Sequence, residues 1–136
     1  MATYTKFQQF VEDLAHGVHN FDSDTIKVAL SNASNAPSAS AHVKLADITT
    51  VSTANLGSVT LTKSSSGQTT GTYKYIPNDL TMTASGAVGP FQYVIIYNDD
   101  STSDSLICYF DYSSEVTLAS GDTFKLDFGT ELFSLA

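Results

Sequence analysis

The sequence predicts a mainly β protein, an antiparallel β-sandwich of jelly-roll-like or barrel-like form with one N-terminal α-helix. Three features carry that expectation. Apolar residues fall at helical spacing only near the start. Beyond it they alternate with Thr, Lys and Asp in short runs, as in half-buried strands. Turn residues separate those runs at the intervals of a sandwich or barrel.

Taken in order, Phe7, Phe10, Val11, Leu14, Val18 and Phe21 recur in steps of three and four, which places a helix over 5–20. Thr3 or Thr5 is expected to cap it, and Gly17 to weaken its interior. Asn20 and the run Asp22, Ser23, Asp24 supply the stop and a turn. The β-sandwich then occupies 24–136 of a single domain spanning 1–136.

Ile26, Val28 and Leu30 open the alternation. Val43 with Leu45, Val59 with Leu61, Tyr73 with Tyr75, and Leu80 with Met82 and Ala84 continue it. Phe124, Leu126 and Phe128 close it. Pro77-Asn78-Asp79, Ser85-Gly86, Gly89-Pro90 and Ser120-Gly121-Asp122 read as turns. SNASNAPSASA (31–41) and SSSGQTTG (64–71) read as exposed loops.

Composition narrows the function. Fourteen acids oppose six lysines and no arginine, for a net charge of −8. That balance argues against nucleic acid, phosphate and anionic membrane partners. Cys108, the single cysteine, leaves no internal disulfide and sits in an apolar run, LICYF. MATYTKFQQF lacks the basic start and apolar run of a signal peptide, so synthesis in the cytoplasm is expected.

FQYVIIYNDDSTSDSLICYFDY (91–112) reads as a hairpin turning at Ser101-Thr102. Loop symmetry pairs Tyr97 with Leu106, Ile95 with Cys108 and Tyr93 with Phe110. It puts Val94, Ile96, Ile107 and Tyr109 together on the opposite face, with Gln92 beside Asp111. Both faces are apolar near the middle, so the second needs a cover: the helix or another subunit.

The chemistry-bearing residues form no recognised motif. Asp99, Asp100 and Asp104 lack EF-hand spacing. His16 and His19 lack the glutamate and the i, i+4 spacing of HExxH. Eighteen serines include no GxSxG elbow. Asp111 and Glu115 have no fixed separation to make them a glycosidase pair. The expectation is a chain that is not an enzyme, with no catalytic, cofactor-binding or metal residues.

YTKFQQFVEDLAHGVHNFDSDTIKVALSN resembles the start of a family of small structural proteins of tailed bacteriophages. TGTYKYIPNDLTMTASG, GPFQYVIIYND, LICYFDY and VTLASGDTFKLDF are similar in the same order. The resemblance implies a virion component, with head decoration or cement as the role, on the capsid exterior and assembled in the host cytoplasm. It implies the phage major capsid protein and copies of itself, as a homotrimer, as partners. The subunit contact is expected at Val94, Ile96, Ile107 and Tyr109. The capsid contact is expected at Ala2, Thr3, Tyr4, Asn35 and Pro37. The alternative is a tail, head–tail junction or fibre protein that binds host glycan.

Overall fold

The computed structural model describes residues 2–136. Its chain order is β1 (Thr3–Lys6), α1 (Gln9–Ala15), β2 (Ile26–Ser31), β3 (Lys63–Thr69), β4 (Thr72–Pro77), β5 (Leu80–Thr83), β6 (Val88–Asn98), β7 (Leu106–Leu118), β8 (Thr123–Leu126) and β9 (Phe133–Leu135). Short 3-10 turns lie at Ala33–Asn35, Leu45–Asp47 and Ala54–Leu56. The principal sheet has the order β1-β7-β6-β2. A second, β3-β4-β9, and a ribbon, β5-β8, complete a sandwich in which every pairing is antiparallel.

The N-terminus differs from the expectation. The helix covers only Gln9–Ala15, and Thr3 and Thr5 lie in a strand paired with β7 rather than at a helix cap. Its N-cap is Gln8, without a side-chain cap. Gly17 takes φ +72 and ends the helix, where a left-handed residue costs least without a Cβ. Thus Phe7 and Phe21 lie outside the helix and reach the core from the chain on either side of it. The sandwich therefore begins at Thr3, not at residue 24.

Four further segments depart from the expectation. Val43 and Leu45 flank a single bridge, Lys44 to Ser105, and a 3-10 turn; Val59 and Leu61 flank a single bridge from Thr60 to Lys27. Residues 64–71 are no loop: most of them form β3 and its turn into β4, exposed on both sides. The alternation rule misses such a strand because neither face buries a side chain. Gly89-Pro90 lies within β6 as an irregularity rather than a turn. At Gly89, with φ +100, a Cβ would stand 2.7 Å from the Val116 carbonyl oxygen.

The β6–β7 hairpin exists, but its register slips. Tyr97 pairs with Leu106 as expected, and then Ile96 pairs with Cys108, leaving Ile107 as an extra residue in β7. From there Ile95 faces Tyr109 and Val94 faces Phe110, one step from the symmetric register. Leu30, Val94, Phe110 and Tyr4 therefore form one row, and Ala29, Ile95, Tyr109 and Thr5 the next. Val94 and Ile96 do not share a face with Tyr109. Gln92 still reaches Asp111, donating from Nε2 to Oδ1 at 3.0 Å.

Both faces of this sheet are covered from within the chain. The Phe110 face meets Phe128 of the C-terminal segment, with ring centroids 6.2 Å apart. The other face is crossed by residues 32–53. They leave β2 at one edge and reach the opposite edge, where Gln8 N–H donates to the Ala39 carbonyl at 2.9 Å. They return past the hairpin tip, where Leu106 N–H donates to the Val43 carbonyl, and close on Leu30 through Val51. Pro37 and Ile48 are buried on the way. The helix also packs against β7, and Tyr93 and Tyr109 on that face stay half-buried. Val94, Ile95, Ile96, Ile107 and Cys108 are fully buried as a result, and each such aliphatic side chain contributes about 2 kcal/mol.

Candidate functional site

The acidic loop between β6 and β7 is tied down at most of its residues, with Thr102 and Ser103 exposed at its tip. Asp99 pairs with Lys27 at 2.9 Å. The Asp100 carboxylate accepts from Thr25 N–H at 2.6 Å. Ser101 Oγ donates to the Asn98 carbonyl and accepts from Ser105 N–H. The Asp104 carbonyl accepts from Leu45 N–H at 3.0 Å. The loop holds the hairpin, β2 and the crossing segment together. Among the described residues, no three His, Cys, Asp or Glu side chains converge as a metal site would require.

A groove of about 710 Å³ runs between this loop and α1, lined by Gln9, Asp13, Val43, Lys44, Asp100 and Ser101–Ser103. It is polar and open, with no aromatic platform. Asp111 and Glu115 serve the backbone elsewhere: Asp111 accepts from Ser113 N–H at 2.7 Å and Glu115 from Ala33 N–H at 3.1 Å. Of the carboxyl groups, Asp22 is held below its ordinary range by Lys63, and Asp47 by the backbone N–H groups of Val43 and Lys44. Both shifts favour the charged form of exposed structural acids.

The histidines separate. His16 is exposed beside Glu12 at 3.6 Å. His42 Nδ1 accepts from Ser38 N–H at 3.0 Å, inside the crossing segment. His19 is buried, between the rings of Phe10 and Phe21. Asn98 organises it. The amide Nδ2 of Asn98 lies 2.7 Å from Asp24 Oδ2 and 2.9 Å from His19 Nδ1, and its Oδ1 accepts from Asp100 N–H. Those partners orient the amide, so His19 Nδ1 is the acceptor and Nε2 carries the proton. Nε2 has no hydrogen-bond partner, and Asp13 Oδ2 stands 4.0 Å away. Burial lowers the His19 pKa against the pull of Asp13 and Asp24.

Cys108 is buried on the inner face, in register with Lys6. Burial pushes its thiol far up, against a smaller opposing hydrogen bond from Tyr4. It is a packed core residue, not a nucleophile.

The residues expected at a subunit contact are placed otherwise. Val94, Ile96 and Ile107 are fully buried within the chain, and Tyr109 is half-buried against Phe7 and Tyr93. Val94, Ile96 and Ile107 are core, whereas Tyr109 keeps part of its surface open. Among the residues expected at the capsid, Pro37 is buried and Asn35 is half-exposed beside Asn32. Ala2, Thr3 and Tyr4 lie together at an open sheet edge.

That edge carries the apolar surface the sequence did not single out. β1 ends the principal sheet and β9 ends the second one. Between them runs a chain of recesses. The first holds Ala2, Tyr112, Leu126 and Asp127. The next, about 470 Å³, holds Tyr4, Phe110, Phe128 and Leu132. The last, about 360 Å³, holds Lys6, Val11, Leu14 and Leu135. Tyr4, Val11 and Leu135 are 40%, 55% and 43% exposed along the rim. The only signal in the sequence was Val11 beside Phe10, too wide an apolar arc for a helix that covers one core. No family model, no curated protein and no solved structure matches the chain.

Proposed function

We propose that this chain is a non-enzymatic structural protein of a tailed-phage virion, a head decoration or cement protein that binds the capsid exterior and braces neighbouring major capsid subunits. The observation that carries the reading is how the polar side chains are employed. Asp99 and Asp100 of the hairpin loop, the buried His19 and the carboxylates of β7 hold backbone or neighbouring strands. Beside the open polar groove, an apolar edge between two sheets is free for outside contact, suited to protein surfaces rather than to a reactive substrate. The resemblance read in the N-terminal and hairpin sequences supplies the context.

A glycan-binding fibre role fits less well. It calls for aromatic side chains displayed at loop tips. Among the described residues the one aromatic side chain well exposed is Tyr4, which stands on β1. On the decoration reading the Ala33–Asn35 turn is the proposed capsid face, since Asn35 is half-exposed and Ala33 N–H is fixed by Glu115.

Quantitative mass spectrometry of purified virions tests this reading. A copy number of the same order as the major capsid protein is expected. A far smaller number would move the protein to the tail or head–tail junction, and absence from particles would overturn the structural role.

A further inference from the structure

The geometry points to a second copy of this chain as the occupant of the open β1 edge, joined by antiparallel pairing of β1 with β1 across a two-fold axis at Tyr4. Phe7 N–H donates to the Ile107 carbonyl of β7. By strand alternation Thr5 and Thr3 also turn their backbone groups toward β7, and Ala2, Tyr4 and Lys6 turn theirs away. Gln8 belongs to the outward set, and its N–H is taken by the Ala39 carbonyl. The crossing segment thus closes the edge at Gln8 and leaves Tyr4 and Lys6 open.

The side chains select the register. Tyr4 and Lys6 line the recesses on the inner face of the sheet. A two-fold perpendicular to the joined sheet keeps that face common to both copies, so it must pass through a residue rather than between two. Centred on Tyr4, it sets Lys6 opposite the partner's Ala2. Ala2 shares a recess with Asp127.

Lys6 and Lys44 have no carboxylate partner among the described residues, whereas Lys27, Lys63, Lys74 and Lys125 do, and of the two only Lys6 stands on the open edge. Asp127 is exposed, and among the described residues it accepts only from Gly129 N–H and has no lysine partner. The cation and the anion stand at opposite ends of one groove, and the two-fold brings each to the other's counterpart twice. An edge lysine ordinarily guards against edge-to-edge pairing. Here that guard meets an acid. The exposed side chain of Tyr4 loses water in the same contact. The pairing joins two four-stranded sheets into one of eight strands.

The inference does not depend on the decoration reading, and it departs from the threefold association the sequence resemblance implies. It also assigns Ala2, Thr3 and Tyr4 to self-contact rather than to the capsid.

Sedimentation velocity of the purified chain tests it, at about 10–100 µM, the range of a modest interface. A dimer is expected. Lys6→Glu and Asp127→Lys should each weaken dimerisation about tenfold, because each pair occurs twice. The double variant Lys6→Glu/Asp127→Lys should return to the wild-type value. Lys6→Gln gives the same direction of loss if either reversal fails to fold, as circular dichroism would reveal. A monomer throughout the range, a trimer, or single reversals without effect would each overturn the two-fold.

Discussion

At the scale of single residues, His19 has the clearest consequence. Its imidazole is neutral because burial costs the charged form more than Asp13 and Asp24 return. Protonating Nδ1 would also turn the Asn98 contact from donor–acceptor into donor–donor. A folded pKa below the unfolded value means that the unfolded chain takes up the proton first as pH falls. Stability is therefore fully present above about pH 6.5 and declines below it, down through the folded pKa, by at most about 1.4 kcal/mol per pH unit. Thermal unfolding between pH 8 and 5 should show the wild type losing midpoint temperature below neutrality, and His19→Gln losing less over the same window. Equal slopes would remove His19 as the cause. Asp22 and Asp47 act in a separate, more acid window, where their depressed carboxyl groups finally take protons. Cys108 makes a simpler case. Fully buried, with its thiol raised by burial, it should resist a thiol reagent in the native state and react only as the molecule opens. A rate that rises with denaturant along the global unfolding curve is expected; fast labelling without denaturant would contradict the packing.

Among the elements, β9 shows how a strand too short to announce itself is held. It has three residues, and only Phe133 points inward. That ring meets Phe10 of α1 at 5.1 Å, Phe21 at 4.7 Å and Tyr75 of β4 at 6.0 Å. Burial in this cluster pushes the Tyr75 hydroxyl up to about 12. Phe133→Ala should cost about 3–5 kcal/mol in urea unfolding, with deuterium exchange speeding first at the Leu132 N–H bonded to the Tyr75 carbonyl. A loss under about 1 kcal/mol would mean that β9 is not a structural strand. Nothing in FGTELFSLA alternates long enough to reveal this element from sequence. The legible strands were those whose side chains alternate in polarity: β2, β4, β5 and β8. Illegible ones were β3, exposed on both sides, and β1, absorbed into a helical pattern that Phe7 and Phe21 happened to extend. The hairpin was legible as a hairpin, but a single extra residue at Ile107 shifts each pair below it.

At the scale of the whole molecule, the same logic explains why the sandwich was foreseen and the contact surface was not. Period-two runs report burial, and the most strongly apolar run, VIIY, duly lies in the core. Whether an apolar face is covered by its own chain depends on the path of residues 32–53. Their Ala, Ser and Asn composition suggested an exposed loop, and Ala33, Ser34, Ala36, Ser40 and Ala41 are exposed; the same small side chains let the segment lie flat across a sheet. That path binds β2, the hairpin tip and the β1–α1 junction into one unit, through bonds to Leu30, Asp104, Leu106 and Gln8. The β5–β8 ribbon is joined as well, since Phe124 packs on Phe91 at 5.2 Å and on Tyr112 at 5.3 Å. No layer can leave without exposing the core of another. The chain should therefore unfold in one calorimetric transition, with calorimetric and van't Hoff enthalpies in agreement. Breaking the strap tests the cause: Pro37→Asp places a charge beneath the crossing segment and should lower the single midpoint without splitting it. Two resolved transitions, in either protein, would show that the crossing segment is an ornament on a sheet stable without it, and would return Ile95 and its face to the list of surfaces a partner must cover.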